Sequence, residues 1–155
     1  MYLAQEGTLY KDMPVQQRIA CKAFIVHEGR ALITRESSKY EEGTNAGGYD
    51  LPGGRLEPGE HFEDGLRREV REEVGLEIEI GKPIYVGEWH PVIKGEEVQI
   101  IALFFECAAK SGEVKLSQDH DDYKWVPLDG EEYKNYKLVP PNDIILQEYI
   151  DRLRG

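Results

Sequence analysis

Three acids crowd the end of one short stretch: Glu69, Glu72 and Glu73, within the run Gly54 to Leu76. Pro58-Gly59 reads as a turn, an amphipathic run starts at Glu60, and Gly75 stands where a helix stops in the left-handed conformation. The spacing predicts a helix from His61 to Val74. On a wheel of about 100° per residue, Phe62, Leu66 and Val70 form an apolar stripe with Val74 at its edge. Asp64, Arg67 and Arg71 fall on the solvated side. Glu69 and Glu73 project at nearly the angle of Phe62, with Glu72 about 60–100° away. As bare structure this is unfavourable. Glu69 and Glu73 are four apart, a like-charge cost of about 0.2–0.5 kcal/mol. All three acids sit at the negative end of the helix dipole, and two face low dielectric. One divalent cation relieves all three problems. Magnesium, a hard ion that takes carboxylates, waters and phosphate oxygens, is the expected one, with manganese as the alternative.

Other elements must hold that helix. Arg18 to His27 and Arg30 to Thr34 read as strands joined at Glu28-Gly29. Residues 36 to 48 read as a loop, and Tyr49 to Gly54 as an extended piece breaking into a glycine turn. Leu76 to Ile80 alternates like a strand. Pro83 to His90 and Glu97 to Cys107 read as two more, joined around Lys94-Gly95. Tyr123 to Leu128 reads as the last strand, and Glu131 to Tyr136 as a short helical piece. A C-terminal helix opens at Pro140-Pro141-Asn142-Asp143 and runs to about Leu153. Ile144, Ile145, Tyr149 and Leu153 stand at core spacing, and Asn142 or Asp143 is placed to cap it. The expected architecture is α/β, a mixed sheet sandwiched between helices.

The 155 residues are most simply one domain, with residues 1–16 as an N-terminal arm or extra strand. The net charge, 19 − 30 = −11, argues against nucleic acid or an anionic membrane as a partner. It leaves a small anionic substrate open, because bound metal reverses the local sign. The longest apolar run, Ile100 to Phe105, is six residues, far below the ~18 a membrane span needs. The start lacks the features of a secretory signal. Cys21 and Cys107 read as buried reduced thiols, so a cytoplasmic location is expected.

The central run resembles the Nudix box: Gly, five residues, Glu, seven residues, Arg-Glu-aliphatic, one residue, Glu-Glu, one residue, Gly-aliphatic. Gly54, Glu60, Arg68, Glu69, Val70, Glu72, Glu73, Gly75 and Leu76 fill every fixed position. The resemblance implies a Nudix α/β/α sandwich, with a likeness of layout over roughly residues 17 to 128. It implies hydrolysis of a diphosphate linkage in a nucleotide derivative, with water attacking phosphorus. Glu69, Glu72, Glu73 and the carbonyl of Gly53 are the implied metal ligands. Glu69 is the implied base, with Glu72 and Asp119 as further catalytic acids. Gly54, Glu60, Arg68 and Gly75 support the site, Arg68 tying the loop to the helix through Glu60. Asp119, in Ser117 to Trp125, is a candidate ligand or base, or part of a solvated acidic loop. His120 reads as a hydrogen-bonded loop residue. Gly65 stands where relatives have alanine, and a close backbone neighbour is the expected reason.

Arg35 resembles an arginine that contacts substrate phosphate or sugar in MutT-like members. Asn142 resembles an asparagine that reads a guanine edge there. These two point to nucleoside triphosphates, oxidised guanine nucleotides included; a helix cap is the other reading of Asn142. Pro91, sixteen residues after Gly75, points instead toward ADP-ribose or another nucleoside-diphosphate sugar, although Val92 follows where a glycine is expected. Trp89 and Tyr49 are candidates to stack on a base or to sit in the core. A non-catalytic nucleotide-binding module is the reading from another class, and a homodimer is a family-based option.

Overall fold

The computed structural model describes residues 15–39 and 47–155. The arm proposed for 1–16 and the loop proposed for 36–48 lie largely outside them. A mixed sheet is built on strand β1 (Gln16–His27), which pairs in parallel with β7 (Glu96–Ala109) from Gln16↔Val98 to Val26↔Ala108. β1 turns at Glu28-Gly29 into β2 (Arg30–Glu36). Both turn residues have positive φ, the twist that a tight hairpin needs. β3 (Tyr49–Asp50) pairs with β2, and β4 (Gly53–Arg55) pairs with β1. β5 (Ile78–Trp89) pairs antiparallel with β7. β6 (Val92–Ile93) forms a hairpin with β7 through Lys94-Gly95. β8 (His120–Pro127) lies against β2.

Two helices cover the two faces. Helix α1 (Phe62–Val74) packs Leu66, Val70 and Val74 against Cys21, Ala23, Ile25, Leu32, Phe105 and Cys107. Helix α2 (Asn142–Arg154) packs Ile145, Leu146 and Ile150 against Phe24, Ile33, Ala102 and Phe104 on the other face. Inward residues alternate along β1: odd numbers meet α1 and even numbers meet α2, so each face buries its own core. This is the expected α/β/α sandwich. Among the described residues no helix is long and apolar enough to cross a membrane.

Several boundaries differ from the sequence reading. β1 starts at Gln16, not Arg18, and β8 starts at His120, not Tyr123. The two strands expected at Leu76–Ile80 and Pro83–His90 are one strand, β5, with irregular register around Pro83. Among the described residues β5 pairs only with β7, and an edge strand tolerates a proline that donates nothing. The burial of α2 is also rotated. Ile144 is 47% exposed and Leu153 60% exposed, while Leu146 and Ile150 are fully buried. Phe62 is not a core residue but a half-exposed lid, its ring stacked on Phe105 at 5.2 Å.

Candidate active site

The turn Leu51-Pro52-Gly53-Gly54 lies against the last two turns of α1. Gly53 has φ 134, and a Cβ there would sit 2.2 Å from the Cys21 carbonyl oxygen, so only glycine fits. At Gly54 a Cβ would sit 2.8 Å from Glu69 Oε2. The bare backbone lets the carboxylates come up to the turn. The Gly53 amide donates to Glu73 Oε2 at 3.1 Å. Glu69 and Glu73 are close enough to hydrogen-bond when one is protonated. Burial pushes Glu73 up to about 8, with the nearby Lys22 charge and the Gly53 amide opposing. Burial also raises Glu69, opposed by Arg68.

Arg68 organises the loop before the helix. Its Nε donates to Glu60 Oε2 at 2.8 Å and its Nη2 to Glu60 Oε1 at 3.0 Å, a two-pronged pairing. Nη1 reaches Glu69 Oε1 at 3.1 Å and Glu72 Oε2 at 3.4 Å. The Arg68 bonds and the Glu57 amide hold Glu60 down at about 2. Gly65 has the close neighbour its sequence position suggested, though a side chain rather than backbone. A Cβ there would meet Leu56 Cδ2 at 2.4 Å and Glu60 Oε1 at 2.8 Å. The helix ends at Gly75, φ 68, whose amide donates to Arg71 O. The amides of Lys115 and Ser117 take the carbonyls of Val74 and Glu73 at 2.9 Å each. The chain after β7 thus closes the helix C-terminus.

The remaining candidates fall in different places. Glu72 is turned outward, its side chain 61% exposed. Asp119 is exposed, and its backbone carbonyl accepts from the Ser37 amide at 2.8 Å. Arg35 lies at the outer end of β2, paired to Asp121 at 2.6 Å and 5.8 Å from the Tyr49 ring centroid. Tyr49 is a core residue, its hydroxyl donating to Asp122 Oδ2 at 2.5 Å. Asn142 does not cap α2: the position before the first helical residue is Pro141, and no side chain caps the helix. Asn142 is instead buried, 1% exposed, and its Nδ2 donates to Asp50 Oδ1 at 2.8 Å. It lines a cavity of about 460 Å³ with Asp50, Trp89, Pro91, Phe104 and Pro141. Trp89 is therefore a cavity wall, and its ring lies over Gly87, where a Cβ would come within 3.2 Å of it.

Two residues that sequence reasoning passed over connect these parts. Lys22, on the β1 face turned to α2, donates to Asp50 Oδ2 at 3.1 Å. Burial works against its ammonium, but the charges of Asp50 and then Glu73 outweigh that and raise its pKa. The one available signal was a lysine inside an apolar strand run.

The family model for the NUDIX domain matches residues 16–149. The chain belongs to the Nudix family. A nucleoside triphosphatase NudI from Klebsiella pneumoniae is 30% identical over 143 residues, covering 86% of this chain and 96% of that protein. The crystal structure of a MutT protein from Methanosarcina mazei Go1 is 32% identical with a TM-score of 0.70, covering 92% of this chain and 99% of that one. That of a MutT Nudix hydrolase from Burkholderia pseudomallei is 29% identical with a TM-score of 0.68, covering 85% and 97%. The chain is thus a MutT-like Nudix hydrolase, acting on phosphoric anhydride bonds. Nudix hydrolases generally use a divalent metal and act on small nucleotides.

The Nudix donor set fits such an ion. Among the described residues no three His, Cys, Asp or Glu side chains converge as a ready-made cage. Two facing carboxylates beside a glycine turn offer hard oxygens only, the number magnesium takes when water and phosphate complete its shell.

Proposed function

We propose that this Nudix hydrolase cleaves a nucleoside triphosphate, oxidised guanine nucleotides among its candidates, to a monophosphate and pyrophosphate. One observation carries the reading. The acid pair at the turn and the Asn142 cavity are neighbours joined through Lys22 and Asp50. A triphosphate can lie at the acids while its base enters the cavity. In this reading Glu69, Glu73 and the Gly53 carbonyl hold magnesium, with Glu72 as an outer ligand. Bound there, the ion neutralises phosphate charge as it develops. Glu69 takes the proton of the attacking water, and Asp119 is the reserve base. Arg68 and Glu60 hold the loop against the helix, and Gly54 and Gly75 supply the close approach and the helix end. Arg35 meets the substrate phosphate or sugar by exchanging Asp121 for it. Trp89 and Pro141 flank the base, and Asn142 hydrogen-bonds its edge.

A second reading, cleavage of ADP-ribose or another nucleoside-diphosphate sugar, is favoured by Pro91, which lines the same cavity. Incubation with magnesium and a panel of dNTPs, 8-oxo-dGTP, ADP-ribose and NADH, with product identification, separates the two. Monophosphate and pyrophosphate from a triphosphate support the first. AMP and ribose 5-phosphate as the dominant products support the second. No turnover of any compound favours a non-catalytic binding module.

A further inference from the structure

Lys22 carries a buried ammonium with a single partner. Its side chain is only 10% exposed, and its Nζ donates to Asp50 Oδ2 at 3.1 Å. An ammonium has three donors, and no other acceptor among the described residues takes the remaining two. Buried donors left unpaired are costly. The position of the residue says what can take them. In the β1–β4 pairing Lys22 stands opposite Gly53, so close that a Cβ on Gly53 would lie 2.7 Å from the Lys22 Cα. On its other side Lys22 pairs with Phe104, and Phe104 and Asp50 both line the cavity. The charges of Glu73 and Glu69 act on the ammonium as well. Lys22 thus occupies the seam between the turn that meets the acids and the cavity on the α2 face.

We propose that Lys22 contacts the substrate, its two unused N–H donors binding an oxygen of the phosphate esterified to the nucleoside. The inference rests on the reading above, in which the base enters the cavity while the phosphates lie at the acids. A nucleotide lying so crosses the seam at that phosphate, the group between its sugar and its anhydride bond. Nζ is within hydrogen-bond distance of a cavity-lining carboxylate, so a group leaving the cavity toward Gly53 passes beside it. A phosphate oxygen gives this ammonium a charge-assisted bond, stronger than any sugar hydroxyl supplies. Magnesium on Glu69 and Glu73 offsets the charge with which they draw the ammonium, and the phosphate replaces it.

The test compares a 5′-deoxynucleoside monophosphate with its own deoxynucleoside, bound to the full chain with magnesium present, by titration calorimetry. The base used is whichever of the four common ones binds most tightly as its monophosphate. The ratio of the two dissociation constants reads the phosphate alone. Lys22→Met lowers this ratio by at least about tenfold, the factor one hydrogen bond to a charged group supplies. Asp50→Asn retains an acceptor for the ammonium and keeps the ratio at its wild-type value. A wild-type ratio in Lys22→Met overturns the inference, because a lysine that only steadies Asp50 affects nucleoside and monophosphate alike. A ratio that falls as far in Asp50→Asn overturns it too, placing the effect in Asp50. Lys22→Met leaves the Asp50 charge unpaired; should that variant fail to fold, Lys22→Met/Asp50→Asn removes both charges and is expected to show the same loss, and a wild-type ratio there is equally fatal. A wild-type chain that binds none of the monophosphates more tightly than its nucleoside also overturns the inference. Monophosphates have no anhydride bond, so the readout is separate from hydrolysis. Triphosphate turnover at an unchanged kcat/KM in Lys22→Met would remove this inference and leave the triphosphatase reading standing. A lowered ratio in a chain that cleaves ADP-ribose and no triphosphate would do the reverse, since both substrates carry this phosphate.

Discussion

The amide of Gly53 donates to Glu73 Oε2 at 3.1 Å, twenty residues apart in sequence. That bond fastens the last acid of the helix to a turn whose backbone has no room for a Cβ. It keeps a partly buried carboxylate beside Glu69 despite their mutual repulsion.

Glu73→Gln keeps an acceptor for the Gly53 amide and removes the charge. Turnover should fall by at least about 100-fold, the upper end of losses seen for groups one shell further out. The metal-free variant should melt at a higher temperature than the wild type at pH 8, because the buried charge whose desolvation raises Glu73 is gone. Undiminished turnover would remove Glu73 from the metal site.

Stability without metal should fall as pH rises from about 5 to 8. Glu73 is raised from 4.5 to about 8, so across that window the folded state holds a proton that the unfolded state has lost. The contribution is full below 4.5 and disappears as pH passes the folded value. Denaturant titrations in EDTA at several pH values read this directly, with Glu73→Gln as the control whose fall is shallower because only the burial of Glu69 remains to raise a carboxyl at the site. Magnesium binding below pH 8 should release a proton, seen as a buffer-dependent heat. A wild-type curve parallel to that of the Gln variant would contradict the burial of this group.

The Arg68–Glu60 pairing acts on the opposite side of the pH scale. Glu60 is lowered to about 2, so its support is present above the ordinary carboxylate range and is lost as pH falls toward 2. Arg68→Lys cannot make the two-pronged contact. It should weaken magnesium binding roughly 10–100-fold and shift acid unfolding to higher pH. Glu60→Gln should do much the same, and the double variant should cost less than the sum.

Gly65→Ala should destabilise, against its helix propensity. Alanine gains about 1 kcal/mol in a helix interior. Its Cβ, however, would lie 2.4 Å from Leu56 Cδ2, and overpacking of that kind costs roughly 1–3 kcal/mol. In a Leu56→Ala background the same substitution should cost less, the approach to Glu60 Oε1 at 2.8 Å being the part of the clash that remains.

The helix carrying the acids was legible because its information is local. Phe62 to Val74 repeats on one period, and its acids sit at the wrong end for a solvated helix. The two-face sandwich followed from strand alternation. The face of α2 did not, because Ile144 to Leu153 contains two overlapping apolar spacings and only the opposing Phe24 and Phe104 select one. Asn142 looked as much like a cap as a contact because its partner, Asp50, is ninety-two residues away. Lys22 reads as an outward strand residue until the sheet brings Asp50 beneath it. These are tertiary facts that no window of sequence contains.

The parallel ladder between β1 and β7 also governs how the chain comes to be. Gln16 meets Val98, and Val26 meets Ala108. During synthesis β1 therefore has to wait for a parallel partner that lies eighty-two residues further along the chain. Distant pairings of this kind are slow to close, so in a newborn chain that edge of β1 stays open to other polypeptides until β7 has been made.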